Sequence, residues 1–402
     1  MMGLGKRRLL RARRGSTWLV GAAVLLLAAG AVGGYFAANR LLPQKVAYTR
    51  GPAAPLAEHP APQAPPELQA TLERIAAGYR EPVGLAVSDV TTGWTAQVSG
   101  DQTFPQQSVS KLWVALAVMQ AVDQRRLSLD QTVVMHDEDR SVFNQPLASR
   151  IRGPNGLSIT LADLLRHALI ESDNAANDML IREVGGPGVV TQNIADKHLK
   201  GLAVGGTERD VQTRTAGLEW KPEYGRTWIF KQARALLPDD VRDQALANYL
   251  ANPPDGATPL GIVTALSELK RGELLSRAST DFMLGLMEEA RTGQMRLRAG
   301  MAPGWTLAHK TGTGPDWRGA SVGINDVGLM TAPDGHTYAV AVMVRQTSQP
   351  PSARHRLMAG VARAVESYWA LAGQRARTQT AANRPATGPQ AAPAAAPVAN
   401  GL

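Results

Sequence analysis

The 402-residue sequence contains no cysteine. That excludes disulfide cross-links, thiolate zinc sites and a cysteine nucleophile, and it is compatible with an oxidising compartment. Acidic residues are almost missing from the two ends. Residues 1–65 hold nine basic residues and one acid, Glu58, and residues 373–402 hold Arg375, Arg377 and Arg384 with no acid. These segments carry +8 and +3 of a net +9, which leaves the stretch between them at −2. A nucleic-acid groove needs its basicity on the folded body, so that class of partner is set aside. No internal repeat is visible.

Six cations, Lys6, Arg7, Arg8, Arg11, Arg13 and Arg14, precede a stretch without charge from Gly15 to Asn39. Its apolar heart, Trp18 to Ala38, has the length of a bilayer-crossing helix, roughly 20 residues. The sequence predicts a basic cytoplasmic segment at 1–14 and an inner-membrane anchor at 15–39, with the bulk of the chain in the periplasm. The alternative is a signal sequence cut near Ala28–Ala31, which would release the body to the periplasm. Residues 40–65, rich in Pro and Ala, read as an extended tether. Residues 373–402, Ala/Pro-rich and free of acid, read as a disordered tail.

The whole chain is 44% hydrophobic, enough for a sizeable core in the body between them, residues 66–372. Glu67–Tyr79 has helical spacing. Gly84–Asp89 and Trp94–Val98 read as strands around a Thr-Thr-Gly turn. A long, mainly helical stretch follows from Ser108 to about Arg291. Trp305–Lys310, Ser321–Met330 and Thr337–Val344 are three more strands, the last two joined through Pro333-Asp-Gly335. A helix over about Ala353–Leu371 closes the body. Strands from both chain ends around a helical middle predict an α/β sandwich, with an antiparallel sheet of about five strands and a mainly helical domain.

Three short stretches carry candidate chemistry. In Ser108-Val-Ser-Lys111 a turn-prone Pro-Gln-Gln runs into a buried helix, so the lysine amine shares a face with the Ser108 hydroxyl. A cation at the positive end of a helix dipole makes sense if the amine gives up its proton and serves as a base, which makes Ser108 a candidate nucleophile. The same spacing recurs at Ser267 and Lys270, in what reads as an ordinary amphipathic helix. The second stretch is Ser172-Asp173-Asn174, after a helix whose N-cap is Ser158. Its bland reading is a cap and a turn; its functional one has Ser172 passing a proton to a leaving group and Asn174 holding an amide. The third is Lys310-Thr311-Gly312-Thr313, at the end of a strand. Alternation puts Lys310 and Gly312 on one side and His309 and Thr311 on the other. Gly312 would let an acyl group approach the backbone, and the N–H groups of Thr313 and Ser108 would form an oxyanion hole. Lys310 would hold a substrate carboxylate or polarise Ser172. Arg291-Thr-Gly293 upstream shows how readily such triplets arise.

In this order the three stretches resemble the class A β-lactamase and penicillin-binding protein superfamily. Gly185-Gly-Pro187, Gly272-Glu-Leu-Leu275 and Ala302-Pro-Gly-Trp305 also look like class A sequence. The resemblance covers about 66–372 and implies a serine hydrolase with catalytic Ser108, Lys111 and Ser172. It further implies substrate binding by Asn174, Lys310, Thr311 and Thr313, and needs no metal or cofactor. The family's deacylating glutamate falls on Glu208, with Glu219 and Glu223 nearby. Where class A loops carry Asn four residues later, this chain has Gln212. About 33 residues, 218–250, with Trp220, Tyr224, Trp228, Phe230 and Tyr249, form an insertion. A lid, a partner surface and structural filler are its alternatives. His309 reads as a packing residue, and Arg318 is a guess for a carboxylate contact. The resemblance implies an enzyme acting on β-lactams; the chain is expected to be monomeric and, from its N-terminal segment, membrane-tethered. The alternatives are a D,D-peptidase acting on peptidoglycan stem peptides, and a penicilloyl-sensing or wall-binding domain without turnover.

Overall fold

The structure, a computed structural model, describes residues 62–382. The anchor, the basic segment ahead of it and most of the tether lie outside the described residues. Among the described residues no helix is long and apolar enough to cross a membrane.

Helix α1 (Pro66–Tyr79) leads into β1 (Val83–Asp89) and β2 (Thr95–Val98). The helical middle holds α2 (Lys111–Asp123), α3 (Leu161–Ile170), α4 (Asn174–Val184), α5 (Pro187–Asp196) and α6 (Glu208–Thr215). It continues through α7 (Thr227–Ala235), α8 (Asp239–Ala251), α9 (Pro259–Lys270) and α10 (Arg277–Glu288). Short strands β3 (Phe104–Pro105) and β6 (Gly256–Ala257) pair with each other, as do β4 (Thr132–Met135) and β5 (Leu157–Thr160). The chain then returns through β7 (Thr306–Gly312), β8 (Asp316–Trp317), β9 (Ala320–Thr331) and β10 (Thr337–Thr347) to α11 (Pro351–Ala382).

The main sheet runs β2-β1-β10-β9-β7, antiparallel throughout, with β8 added on β9. These are the five expected strands, drawn from both chain ends, plus one two-residue strand. β1 and β10 are buried along nearly all their length because both faces are covered. Leu85, Val87, Val340 and Val342 meet Leu72 of α1 and Val361 and Val365 of α11. The alternate residues Ala86, Ala339, Ala341 and Met343 face the helical layer. α2 lies within that layer, with ten of its thirteen residues buried. A helix apolar all round has no face to offer water. Burying it against α4, α5 and α10 sets the height at which its first residue, Lys111, enters the interior.

Three boundaries differ from the sequence reading. Ser158 lies in β5, and the N-cap of α3 is Thr160, whose hydroxyl accepts from the Asp163 N–H at 3.1 Å. β6 and the β4/β5 pair fall inside the stretch expected to be mainly helical, and β3 lies just ahead of it; strands of two to four residues are too short to show an alternation. α11 runs to Ala382, so residues 373–382 of the expected tail are helical. Those residues contain no proline to break the helix, and the first one beyond is Pro385.

Candidate active site

Pairing of β3 with β6 delivers the chain to Gln106, and a 3₁₀ turn over Gln107–Ser110 leads into α2. Gln107 has φ = 53°, a left-handed conformation a residue with a side chain rarely adopts. Side-chain bonds hold it there. Its N–H donates to Asp255 Oδ2 at 2.7 Å and its Nε2 to the Tyr249 hydroxyl at 2.6 Å. The turn leaves the Ser108 hydroxyl facing the first residue of the helix, and Lys111 Nζ donates to Ser108 Oγ at 2.9 Å. Lys111 is 1% exposed, and it also donates to Asn174 Oδ1 at 2.9 Å and to Glu208 Oε1 at 2.5 Å. An ammonium has three donors, and all three are taken. The helix dipole is therefore answered by a carboxylate set against the cation. The twin at Ser267 and Lys270 sits inside and at the end of α9, with no loop entering at its serine.

Ser172-Asp173-Asn174 forms the sharp junction between α3 and α4. Ser172 is left-handed at φ = 60°. Asp173 caps α4 through the Ala176 N–H at 2.9 Å and also accepts from the Leu147 N–H at 2.7 Å. Burial raises its carboxyl pKa. The junction turns Ser172 towards Lys310, whose Nζ donates to Ser172 Oγ at 2.8 Å and to the Thr311 carbonyl at 3.1 Å. Lys310 is fully buried, and burial together with the nearby Lys111 cation pushes its pKa well below the ordinary lysine value. His309 and Asp326 share the opposite face of the sheet, with His309 Nδ1 at 2.7 Å from Asp326 Oδ1. His309 is thus packed away from Ser108. A Cβ on Gly312 would come within 2.2 Å of the Gln106 carbonyl oxygen. The nucleophile's own segment therefore needs this glycine for its close approach to β7.

Glu208 opens α6. Its N–H donates to Asp178 Oδ1 at 2.6 Å, and Asp178 Oδ2 takes the Ser141 hydroxyl at 2.7 Å. Burial, followed by the Glu208 charge, raises the Asp178 pKa to about 7. Gln212 is one helical turn from Glu208, on the same face; its Nε2 donates to Gln107 Oε1 at 3.1 Å. Glu219 and Glu223 are exposed on the insertion.

These groups surround a cavity of about 330 Å³ lined by Ser108, Ser172, Asn174, Gln212, Thr311 and Thr313. Arg296 also lines it, with Nη2 on Thr313 Oγ1 at 2.6 Å and Nη1 on the carbonyls of Gly312 and Asn325 at 2.9 and 2.6 Å. Arg318 is not there. It pairs with Asp243 at 2.9 Å on the surface, more than half exposed. Arg296 is the cationic side chain in the lining of this cavity. Thr292 and Gly293, from the triplet taken as coincidence, form its wall, and Thr292 Oγ1 lies 2.7 Å from Thr311 Oγ1. Asp255 and Arg296 stand outside all three motifs, Tyr249 shows only as one aromatic of the insertion, and Asp178, one helical turn after Asn174, gives no sign in the sequence that it accepts from Glu208.

The insertion holds both rims of the cavity. Phe230 of α7 packs edge-on against Phe143, which lines the cavity, at a ring separation of 5.1 Å. On the other rim Arg234 donates to the Asp316 carbonyl at 3.0 Å and Trp317 to Asp243 at 2.6 Å.

The model of the beta-lactamase enzyme family matches residues 67–369. Among curated relatives, beta-lactamase VEB-1 of Pseudomonas aeruginosa is 25% identical over 299 residues, 74% of this chain and 89% of that protein. The extended-spectrum beta-lactamase PER-1 of Pseudomonas aeruginosa is 27% identical, over 75% and 87%. A beta-lactamase structure from Chitinophaga pinensis superposes with a TM-score of 0.61 at 28% identity, covering 76% of this chain and 99% of that one. The TLA-3 extended-spectrum beta-lactamase gives 0.62 at 25% identity, over 76% and 99%. With the fold and the order of its motifs, these matches place the chain in the beta-lactamase enzyme family, on the class A serine side.

Proposed function

We propose that the chain hydrolyses β-lactams through an acyl-enzyme on Ser108. The observation that carries this reading is the triad of contacts on Lys111 Nζ: the Ser108 hydroxyl, Asn174 and Glu208. Because the ammonium has no free lone pair, it becomes a base for Ser108 by passing a proton to Glu208. Ser108 Oγ then attacks the lactam carbonyl carbon, and its proton moves to Lys111. The oxyanion rests on the N–H groups of Ser108 and Thr313. The C–N bond breaks as the nitrogen takes the Ser172 proton; Ser172, held by Lys310, is reprotonated by Lys111, and Glu208 returns its proton to Lys111 and is again a carboxylate. For release, Glu208 takes a proton from water, the water oxygen bonds to the ester carbon, and the ester C–O bond breaks as Ser108 Oγ takes a proton from Lys111, which Glu208 then reprotonates. Arg296 and Thr311 receive the substrate carboxylate. A carboxylate 2.5 Å from Lys111 supports hydrolysis over the peptidase and sensor readings, which give it no deacylating role.

Glu208→Gln removes the base for release outright, whereas Lys111, no longer paired with a carboxylate, can shed its proton to solvent and still activate Ser108, so the two half-reactions separate. Nitrocefin turnover should fall by about 10²–10⁴-fold, with the acyl adduct persisting in intact mass spectra. A wild-type protein that accumulates a stable adduct without turnover would sink the reading.

We further propose that residues 15–39 hold the enzyme in the inner membrane with its body in the periplasm, supported by the six cations ahead of an uncharged stretch. Fractionation with protease access to the body only from the periplasmic side tests this; a cytoplasmic body would refute it.

A further inference from the structure

The insertion reaches the reaction centre through one buried side chain. Tyr249, in the last turn of α8, is 5% exposed and lies behind the turn that carries Ser108. Its hydroxyl donates to Asp255 Oδ1 at 2.8 Å and accepts from Gln107 Nε2 at 2.6 Å. The direction of this chain follows from elementary chemistry. An ionised carboxylate only accepts, and Asp255 already takes the Gln107 N–H on its other oxygen at 2.7 Å. The single phenolic proton therefore goes to Asp255, and the phenol's lone pair faces the Gln107 amide. That amide must present its NH₂ to Tyr249 and its oxygen, Oε1, to Gln212. Gln212 must answer with Nε2, at 3.1 Å. The Gln212 side-chain oxygen, Oε1, has no protein donor among the described residues, and the residue lines the cavity one turn from Glu208.

We propose that Tyr249 is a positioning residue for deacylation: through Gln107 it fixes the Gln212 amide so that its oxygen accepts one proton of the hydrolytic water while Glu208 takes the other. The water lone pair then points at the ester carbon. The inserted helix thereby supplies an orienting contact from outside the three motifs, acting on a glutamine where an asparagine is usual. This proposal rests on the β-lactamase reading above.

The test compares wild type, Tyr249→Phe, Gln212→Leu and the double variant, using single-turnover acylation by nitrocefin and the decay of the acyl adduct by intact mass. Tyr249→Phe removes one hydroxyl. It should slow adduct decay by about ten- to a hundredfold while acylation changes far less, and it should add nothing in the Gln212→Leu background. Gln107→Met breaks the relay at another link and should reproduce the phenotype. Should Tyr249→Phe fail to fold, Gln107→Met alone decides. Adduct decay at the wild-type rate, equal slowing of acylation and decay, or multiplicative loss in the double variant would overturn the proposal. No turnover by wild type would instead defeat the β-lactamase reading itself, and the relay with it.

Discussion

Asp178 holds the N-terminus of α6 by its carboxylate, and in doing so sets a fully buried acid beside Glu208. Its pKa of about 7 lies above the ordinary aspartate value of 3.8, so between those pH values the folded state binds a proton that the unfolded chain has lost. Its contribution is fully present below about pH 4 and is lost as pH rises through 7. Asp178→Asn removes that titration while keeping an acceptor for the Glu208 N–H. Relative to wild type, the variant should gain on the order of 2 kcal/mol between pH 5 and pH 7.5, read from urea unfolding at both pH values. A constant difference would mean that Asp178 does not titrate in this window. The residues legible in the sequence were those whose partners lie on the same turn or at one end of a strand. Ser108 and Lys111, Ser172, and Lys310 all converge on the cavity. Asp178 and Arg296 were not legible, because each meets the site only after distant elements pack. Arg318 failed as a guess for the same reason: the insertion's Asp243 draws it to the surface.

Among the elements, α7 and α8 have the most to say about substrate. Phe230 is fully buried, and beside it Phe143 sits at φ = 58°, a left-handed backbone bearing an aromatic ring into the cavity. Gln145 is tied to the Gly225 carbonyl at 2.8 Å, so the rim segment is gripped at two points. Phe230→Ala should cost about 3 kcal/mol by cavity formation and raise KM for bulky cephalosporins more than it lowers kcat. Thermal unfolding with steady-state kinetics on a small and a large lactam checks this; a uniform fall in kcat for both would count against a rim role. The aromatic cluster of the insertion was visible in the sequence. Its role was not, because an insertion has no family pattern to be read against, and a lid, a partner surface and filler share one composition. The main-sheet strands were legible by their long apolar runs, whereas β3 and β6 exist only because their pairing with each other is fixed by the rest of the fold.

At the scale of the whole body, the sheet takes two strands from the start of the chain and the rest from its end, and α1 and α11 lie together on one face. Glu67, near the start of α1, accepts from Arg375 of α11 at 2.6 Å. The polypeptide therefore enters and leaves the body at neighbouring points, and the order in which its parts are strung is separable from their arrangement. A circular permutant makes this measurable: a short glycine-rich link from Arg375 to Glu67, with new termini in the exposed turn between Gly153 and Gly156. Such a chain should fold and turn over nitrocefin with a KM close to that of the original, since the cut removes no residue that contacts Ser108, Lys111 or Lys310. Loss of folding would show that synthesis order, and not only packing, is needed to close the sheet. The arrangement also means that a pull applied at Pro66, the start of α1, would be borne by the helix pair on the far side of the sheet from Ser108, with no load threaded through the cleft.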